Sequence, residues 1–307
     1  MSETVVVEPA QADSPPSLGQ PIRGPRALDE SWSRFWHLAY NIARSEFKLK
    51  FFGSALGYLW QVMRPLLLFG VLYVFFVVVF EVDNRAEGGA GHFYGAQLLG
   101  SIVLFTFFAE ATSGSVRSVV DRENLVRKIQ FPRLAIPASV VLLAGFNLAL
   151  NLIVVMVFAL IEGVHPMLSW LELPVILLLL TLLASGVAML LSALFVRFRD
   201  ISPIWEVVSQ ILFYSAPVIL PAEAVRKKLE HGTLDHVLYH IYTLNPLVAI
   251  FQQFRHAMIN DQTASAWGVM EKGGGIALLA PIGIVIGIFL LGFWVFNRQA
   301  PHIAEDL

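Results

Sequence analysis

Residues able to do chemistry are sparse in this chain, and their spacing excludes more than it offers. No Gly-x-x-x-x-Gly-Lys-Ser/Thr loop is present, so the chain cannot cradle a nucleoside triphosphate on its own backbone amides. The nearest stretch, GVMEKGGG at 268–275, has no lysine after its last glycines. There is no His-Glu-x-x-His helix and no Gly-x-Ser-x-Gly elbow. His231, His236 and His240, at i, i+5 and i+9, read as part of a solvated outer helix, so no metal site is expected. Cysteine is absent, which removes disulfides, thiol catalysis and thiolate-bound metals. No catalytic constellation is left. The chain reads as a carrier or pore with no cofactor of its own, rather than as a membrane-embedded enzyme.

One charged cluster stands out, DRENLVRKIQFPR at 121–133. Leu125 and Ile129 are four apart and would share one face of a short helix. Glu123, Asn124, Arg127, Lys128 and Arg133 surround them, Phe131 follows, and Pro132 stops the helix. A small apolar face ringed by charge is suited to dock in a groove on a soluble partner. An ordinary basic loop beside a membrane has the same composition, and residue types alone leave that alternative open.

The elements that position this cluster are membrane spans. The chain has 307 residues, 56% hydrophobic and 14% charged, against about 25% charged in soluble domains. A net charge of −2 excludes a nucleic-acid footprint. A spanning helix needs roughly 20 mainly apolar residues. Six segments qualify, at about 56–80, 96–117, 134–161, 173–196, 201–220 and 276–297. The expected fold is all-α, a six-span bundle over 55–300. Residues 1–30 are proline-rich and acidic, and predict a mobile tail rather than a secretory signal; 301–307 form a second short tail. With both ends in the cytoplasm, fifteen of the 21 basic residues fall on the inner side, the arrangement favoured by the positive-inside rule. The expected location is a bacterial inner membrane.

Residues 31–54 precede the first span as a different kind of helix. On a helical wheel, Trp32, Phe35, Trp36, Leu38, Tyr40, Ile42 and Phe47 fall on one arc. Arg34, His37, Asn41, Arg44, Ser45 and Lys48 fill the other, and only Glu46 is out of place. This pattern predicts an amphipathic helix lying in the membrane interface. Within the spans, Glu110 is deeply placed and needs a cavity or a polar partner. Arg64 and Glu206 are close enough to an end to reach the interface. Asn147 and Asn151 share a face and predict interhelical hydrogen bonds.

Four blocks together resemble the ABC-2 type permeases: SALGYLWQVMRPLLLFGVLYVFFVVVF (54–80), ENLVRKIQFPRLAIPAS (123–139), RFRDISPIWEVVSQILFYSAPVILP (197–221) and NPLVAIFQQFRHAMI (245–259). The resemblance is greatest to the branch exporting O-antigen, teichoic acid and galactan. It implies a homodimer, two copies of a separate cytoplasmic ATPase that carry the ATP and magnesium, and a lipid-linked polysaccharide as substrate. It also implies that 123–133 is the coupling helix. The stretch 221–275 would dip into the outer leaflet as two short gate helices. Spans one and five would line the conduit, where Tyr58, Trp60, Phe69, Tyr73, Phe213 and Tyr214 could stack on sugar rings. Arg44, Lys48, Lys50 and Arg64 would hold the carrier's diphosphate at the inner side, beside membrane lipid. An exporter of small amphiphiles or drugs is the alternative within the same superfamily.

Overall fold

The computed structural model describes residues 32–50, 57–79, 93–124, 131–220, 222, 225, 239, 241–259, 265–270 and 279–301, which form helices and the turns between them, with no strand among them. The helices are α1 (Trp32–Lys50), α2 (Leu59–Tyr73, continued by a π-helical stretch Val74–Val79), α3 (Tyr94–Val116) and α4 (Ala135–Ile161). A 3₁₀ turn, Leu168–Glu172, leads into α5 (Leu173–Arg197) and α6 (Ile201–Ser215). Then come α7 (Pro246–Ile259), the short α8 (Ala266–Met270) and α9 (Leu279–Gln299).

Five of these are long and apolar enough to cross a membrane: Leu59–Val77, Tyr94–Val116, Ala135–Ile161, Leu168–Arg197 and Leu279–Gln299. The expected fifth span, 201–220, does not reach that length. Its helix α6 has 15 residues, about 22 Å at 1.5 Å per residue, against a hydrocarbon layer of about 30 Å. The cause is Pro217. It disfavours helical backbone at the residue before it, and Ala216 is extended, with ψ 155°. The first span, expected from about 56, has its helix from Leu59, just after Gly57 with its left-handed φ of 48°.

The bundle is built around α3, the most buried of the five crossings, while α2 and α9 are the least buried. α3 packs on α2, α4, α5, α6 and α7. Close approach comes from glycine. Gly100 takes the Phe254 ring of α7, and α5 crosses α9 where Gly186 meets Gly292. A methyl group at Gly186 would lie 2.7 Å from the Phe289 backbone. Without water to drive association, spans hold by such close packing. α1 rests on α4 through Phe35, Ala39 and Ala43, one buried stripe at four-residue spacing. Trp32, Trp36 and Tyr40 remain exposed beside it.

Candidate functional site

The charged loop lies at the end of the bundle where α3 stops and α4 starts. Leu125, Arg127, Lys128 and Ile129 lie outside the described residues. Glu123 and Asn124 close a series of turns that continues α3, and Phe131 packs half-buried against a cluster holding Phe35, Val119 and Leu134. Arg133 differs from its expected place in the ring of exposed charge. It is 3% exposed, and its guanidinium donates to the Ala300 carbonyl at the end of α9. A buried guanidinium needs acceptors, and the carbonyls left open at a helix C-terminus supply them. Arg122 pairs with Glu46 of α1. That pair accounts for the one acidic residue that broke the α1 pattern, and it ties the loop to α1. Sequence reading missed it, because the partners are far apart in the chain.

Arg44, Lys48 and Lys50 are exposed along the last turns of α1, and Arg64 is exposed five residues into α2. They sit on consecutive helices, and Arg64 has no ion pair or hydrogen bond among the described residues. On the same end of the bundle, the Arg117 Nη2 donates to Ser202 Oγ at 3.3 Å, fixing the start of α6 to the end of α3. Arg117 and Arg199 both approach the Phe195 ring, at 5.8 and 5.4 Å.

The six aromatics divide by burial. Phe69 is 8% exposed and is held between Tyr73 at 5.3 Å and Phe158 of α4 at 5.2 Å, so in this structure it packs the bundle and presents no free face. Phe213 sets its edge against Phe105 of α3 at 5.0 Å. Tyr73 is half-buried. Tyr58, stacked on Phe47 at 5.0 Å, keeps an exposed face, as does Trp60. Tyr214 is 76% exposed. Trp205, on the opposite side of α6, donates to Thr112 Oγ1 at 3.2 Å and belongs to the core.

Glu110 has the polar partners that its depth demands. Gln61 Nε2 of α2 donates to one carboxylate oxygen at 2.9 Å, and Asn147 Nδ2 of α4 donates to the other at 2.7 Å. Three spans thus meet at one carboxylate. Asn151 instead bonds within α4, to the Asn147 carbonyl at 2.9 Å.

A second polar group lies at the far end of the bundle. Arg255 of α7 is fully buried. Its Nε donates to Ser101 Oγ at 3.2 Å and its Nη2 to the Val218 carbonyl at 2.7 Å. Tyr94 donates to the Ile219 carbonyl at 3.0 Å, and the Ala222 amide donates to Gln252 at 3.2 Å. Together they hold the turn that ends α6. Glu162 accepts the Ala96 amide at 2.9 Å, capping α3 from a distance, and its carboxylate fills the space where a side chain on Gly95 would stand. The sequence signal for this group was weak: polar residues in apolar helices, with nothing to say which met which. Residues 226–238 of the predicted outer segment, including His231 and His236, lie outside the described residues, as does His240.

The family model described as ABC-2 type transporter matches residues 38–259. Among curated relatives, an O-antigen export system permease protein RfbA from Klebsiella pneumoniae is 26% identical over 267 residues, covering 87% of this chain and 93% of that protein. The protein of the same name from Myxococcus xanthus is 24% identical over 274 residues, covering 88% and 95%. The match takes in α2 to α7, including the Glu110 node, the charged loop and the Arg255 group. This chain is an integral membrane protein of the ABC-2 type transporter family.

Proposed function

We propose that the chain is the permease subunit of an ABC exporter that moves a lipid-linked polysaccharide across the inner membrane. The supporting observation is that the O-antigen export permeases match it over nearly their whole length. Two copies form the conduit. In the single chain, α2 and α6 carry broad exposed apolar faces, among them Leu67, Val71 and Val74 on α2 and Ile204, Val207 and Ile211 on α6. A second copy covers them. α6 serves as a shortened sixth crossing, so both chain ends share the cytoplasmic side, and α7 with α8 forms the outer gate.

In this reading α1 lies in the inner interface, with Trp32 and Trp36 in the acyl boundary. Arg44, Lys48, Lys50 and Arg64 hold the carrier's diphosphate there. The segment 123–131, with Leu125 and Ile129 as anchors, takes up the motion of two cytoplasmic ATPases that bind ATP with magnesium. Tyr58, Trp60 and Tyr214 offer faces to the sugar rings.

Purification with and without a cognate ABC ATPase tests this. The isolated chain should hydrolyse no ATP. The complex should hydrolyse ATP and, in its host, restore surface polysaccharide to a strain lacking this chain. Hydrolysis by the chain alone, or unchanged surface polysaccharide in the deletion strain, overturns the proposal.

A further inference from the structure

The exposed surface of α3 is narrow and of one kind. From Tyr94 to Phe105 every residue is buried. Beyond that, only Thr106, Ala109, Glu110, Ser113 and Gly114 are not, and Arg117 continues the line past the helix end. Spacings of three and four place them on a single stripe. Elsewhere around the helix, every direction is occupied. Phe105, Phe108 and Thr112 meet Phe213 and Trp205 of α6. The stripe's other edge borders α2 and α4, where Gly114 faces Val140 of α4 and Glu110 leans to Gln61 of α2 and Asn147 of α4. The stripe is the gap left between α2 and α6.

No large apolar side chain lies on it, whereas the exposed face of α9 carries Ile286, Leu290, Leu291 and Trp294. A surface meant for lipid looks like α9, and a carboxylate turned toward acyl chains is costly. A second observation points to a ligand. Asn147 is 3% exposed, and its Oδ1 has no hydrogen-bond partner, although its Nδ2 serves Glu110. An unmet buried acceptor beside a half-exposed carboxylate is a place for hydroxyl donors.

We infer that this stripe of α3 is the wet wall of the conduit. Glu110, backed by Asn147, accepts hydrogen bonds from hydroxyls of an uncharged polyhydroxylated chain passing between α2 and α6. Thr106 and Ser113 stand about a helical turn away, with a rise of about 5.4 Å per turn; the Thr106 hydroxyl donates to the Ile102 carbonyl at 2.8 Å and keeps its lone pairs as an acceptor. The inference rests on the exporter reading above. It assigns the polar contacts to α3, beside the aromatic faces of α2 and α6. Two copies inserted in the same sense are related by an axis along the membrane normal. A seam made of α2 and α6 therefore turns this stripe toward that axis.

The natural absence of cysteine makes the test direct. Thr106→Cys, Ser113→Cys and a lipid-side control, Leu290→Cys, are made in the complete exporter. Inside-out membranes of the host are treated with a charged, membrane-impermeant thiol reagent. The host's own glycan is the probe, present during synthesis and depleted when chain initiation is blocked. Cysteines at 106 and 113 should react in depleted membranes, at least tenfold faster than at 290, and should be slowed at least threefold when glycan is present. Ser113→Trp should lower export at least tenfold while the assembled complex still hydrolyses ATP. Inert cysteines at 106 and 113 in an exporter that moves glycan overturn the wall and leave the exporter reading intact. Reactive cysteines that glycan does not slow overturn the ligand assignment. Loss of assembly in Ser113→Trp makes the stripe a subunit contact and also overturns the inference. A wild-type chain that exports no glycan overturns the exporter reading and the glycan assignment together.

Discussion

Glu110 shows how a charge is held among apolar helices. Its two oxygens accept one amide each, from Gln61 and from Asn147, so removing the carboxylate strands two donors. A stranded buried donor costs about 1–3 kcal/mol. Glu110→Leu should therefore lower the thermal midpoint in detergent, and Glu110→Gln should do so less; equal midpoints for wild type and both variants would show that the node carries no stability. Arg133 belongs at the same scale. Because it is buried against the end of α9, Arg133→Gln should reduce the yield of folded protein. A fully folded variant that had merely lost its ATPase would return Arg133 to the docking surface. Sequence reading identified Glu110 as in need of a partner, since depth and charge are both legible. It could not show the burial of Arg133, because an arginine next to a loop looks the same whether it faces water or a helix end.

Among elements, α5 and α9 cross backbone against backbone. Gly186→Leu and Gly292→Leu each drive a side chain into opposing backbone, and overpacking of this kind costs typically about 1–3 kcal/mol. Both should lower the monodisperse fraction on size-exclusion chromatography. Gly287→Leu, where an added group meets nothing within 4 Å, should not. The charged loop yields a different kind of prediction. Leu125→Asp with Ile129→Asp places charge in the proposed anchoring contact, while the five long spans are untouched. Pull-down of the ATPase should fall at least tenfold with normal membrane insertion; wild-type binding and export would leave the segment as an ordinary basic loop. Length and apolarity located α3, α4, α5 and α9 to within three residues of their expected bounds. They overestimated α6, because an apolar count runs on through Pro217 while the helical backbone does not.

For the whole molecule, the chain's orientation remains a matter of charge distribution, and cysteine labelling measures it. Lys128→Cys and Arg199→Cys should react only from the cytoplasmic side. Ala86→Cys and Lys228→Cys should react only from outside. Cytoplasmic labelling at 228 would rule out the sixth crossing by α6. The position of α1 is a matter of packing. Its buried stripe of Phe35, Ala39 and Ala43 seats it on α4, and its exposed Trp32 and Trp36 are left for the membrane boundary.

The membrane class and the approximate places of five crossings followed from the sequence alone, because burial in lipid demands long runs of apolar residues and leaves them visible in one dimension. The family resemblance was legible for the same reason that the charged loop was: short blocks of unusual residues in a set order. Which face of each helix met which neighbour was decided only in three dimensions. A span that is apolar all round has no periodicity to mark its inner side, so nothing in the sequence marked Phe69 as a packing residue. The structure buries Phe69 and exposes Tyr214. Polar contacts were hidden likewise. Glu46 with Arg122, Glu162 with the start of α3, and Arg255 with the turn after α6 join residues far apart in the chain. Their pairing depends on the register at which helices cross, and that register is set by glycines such as Gly100, Gly186 and Gly292 and by the rings and backbone packed against them.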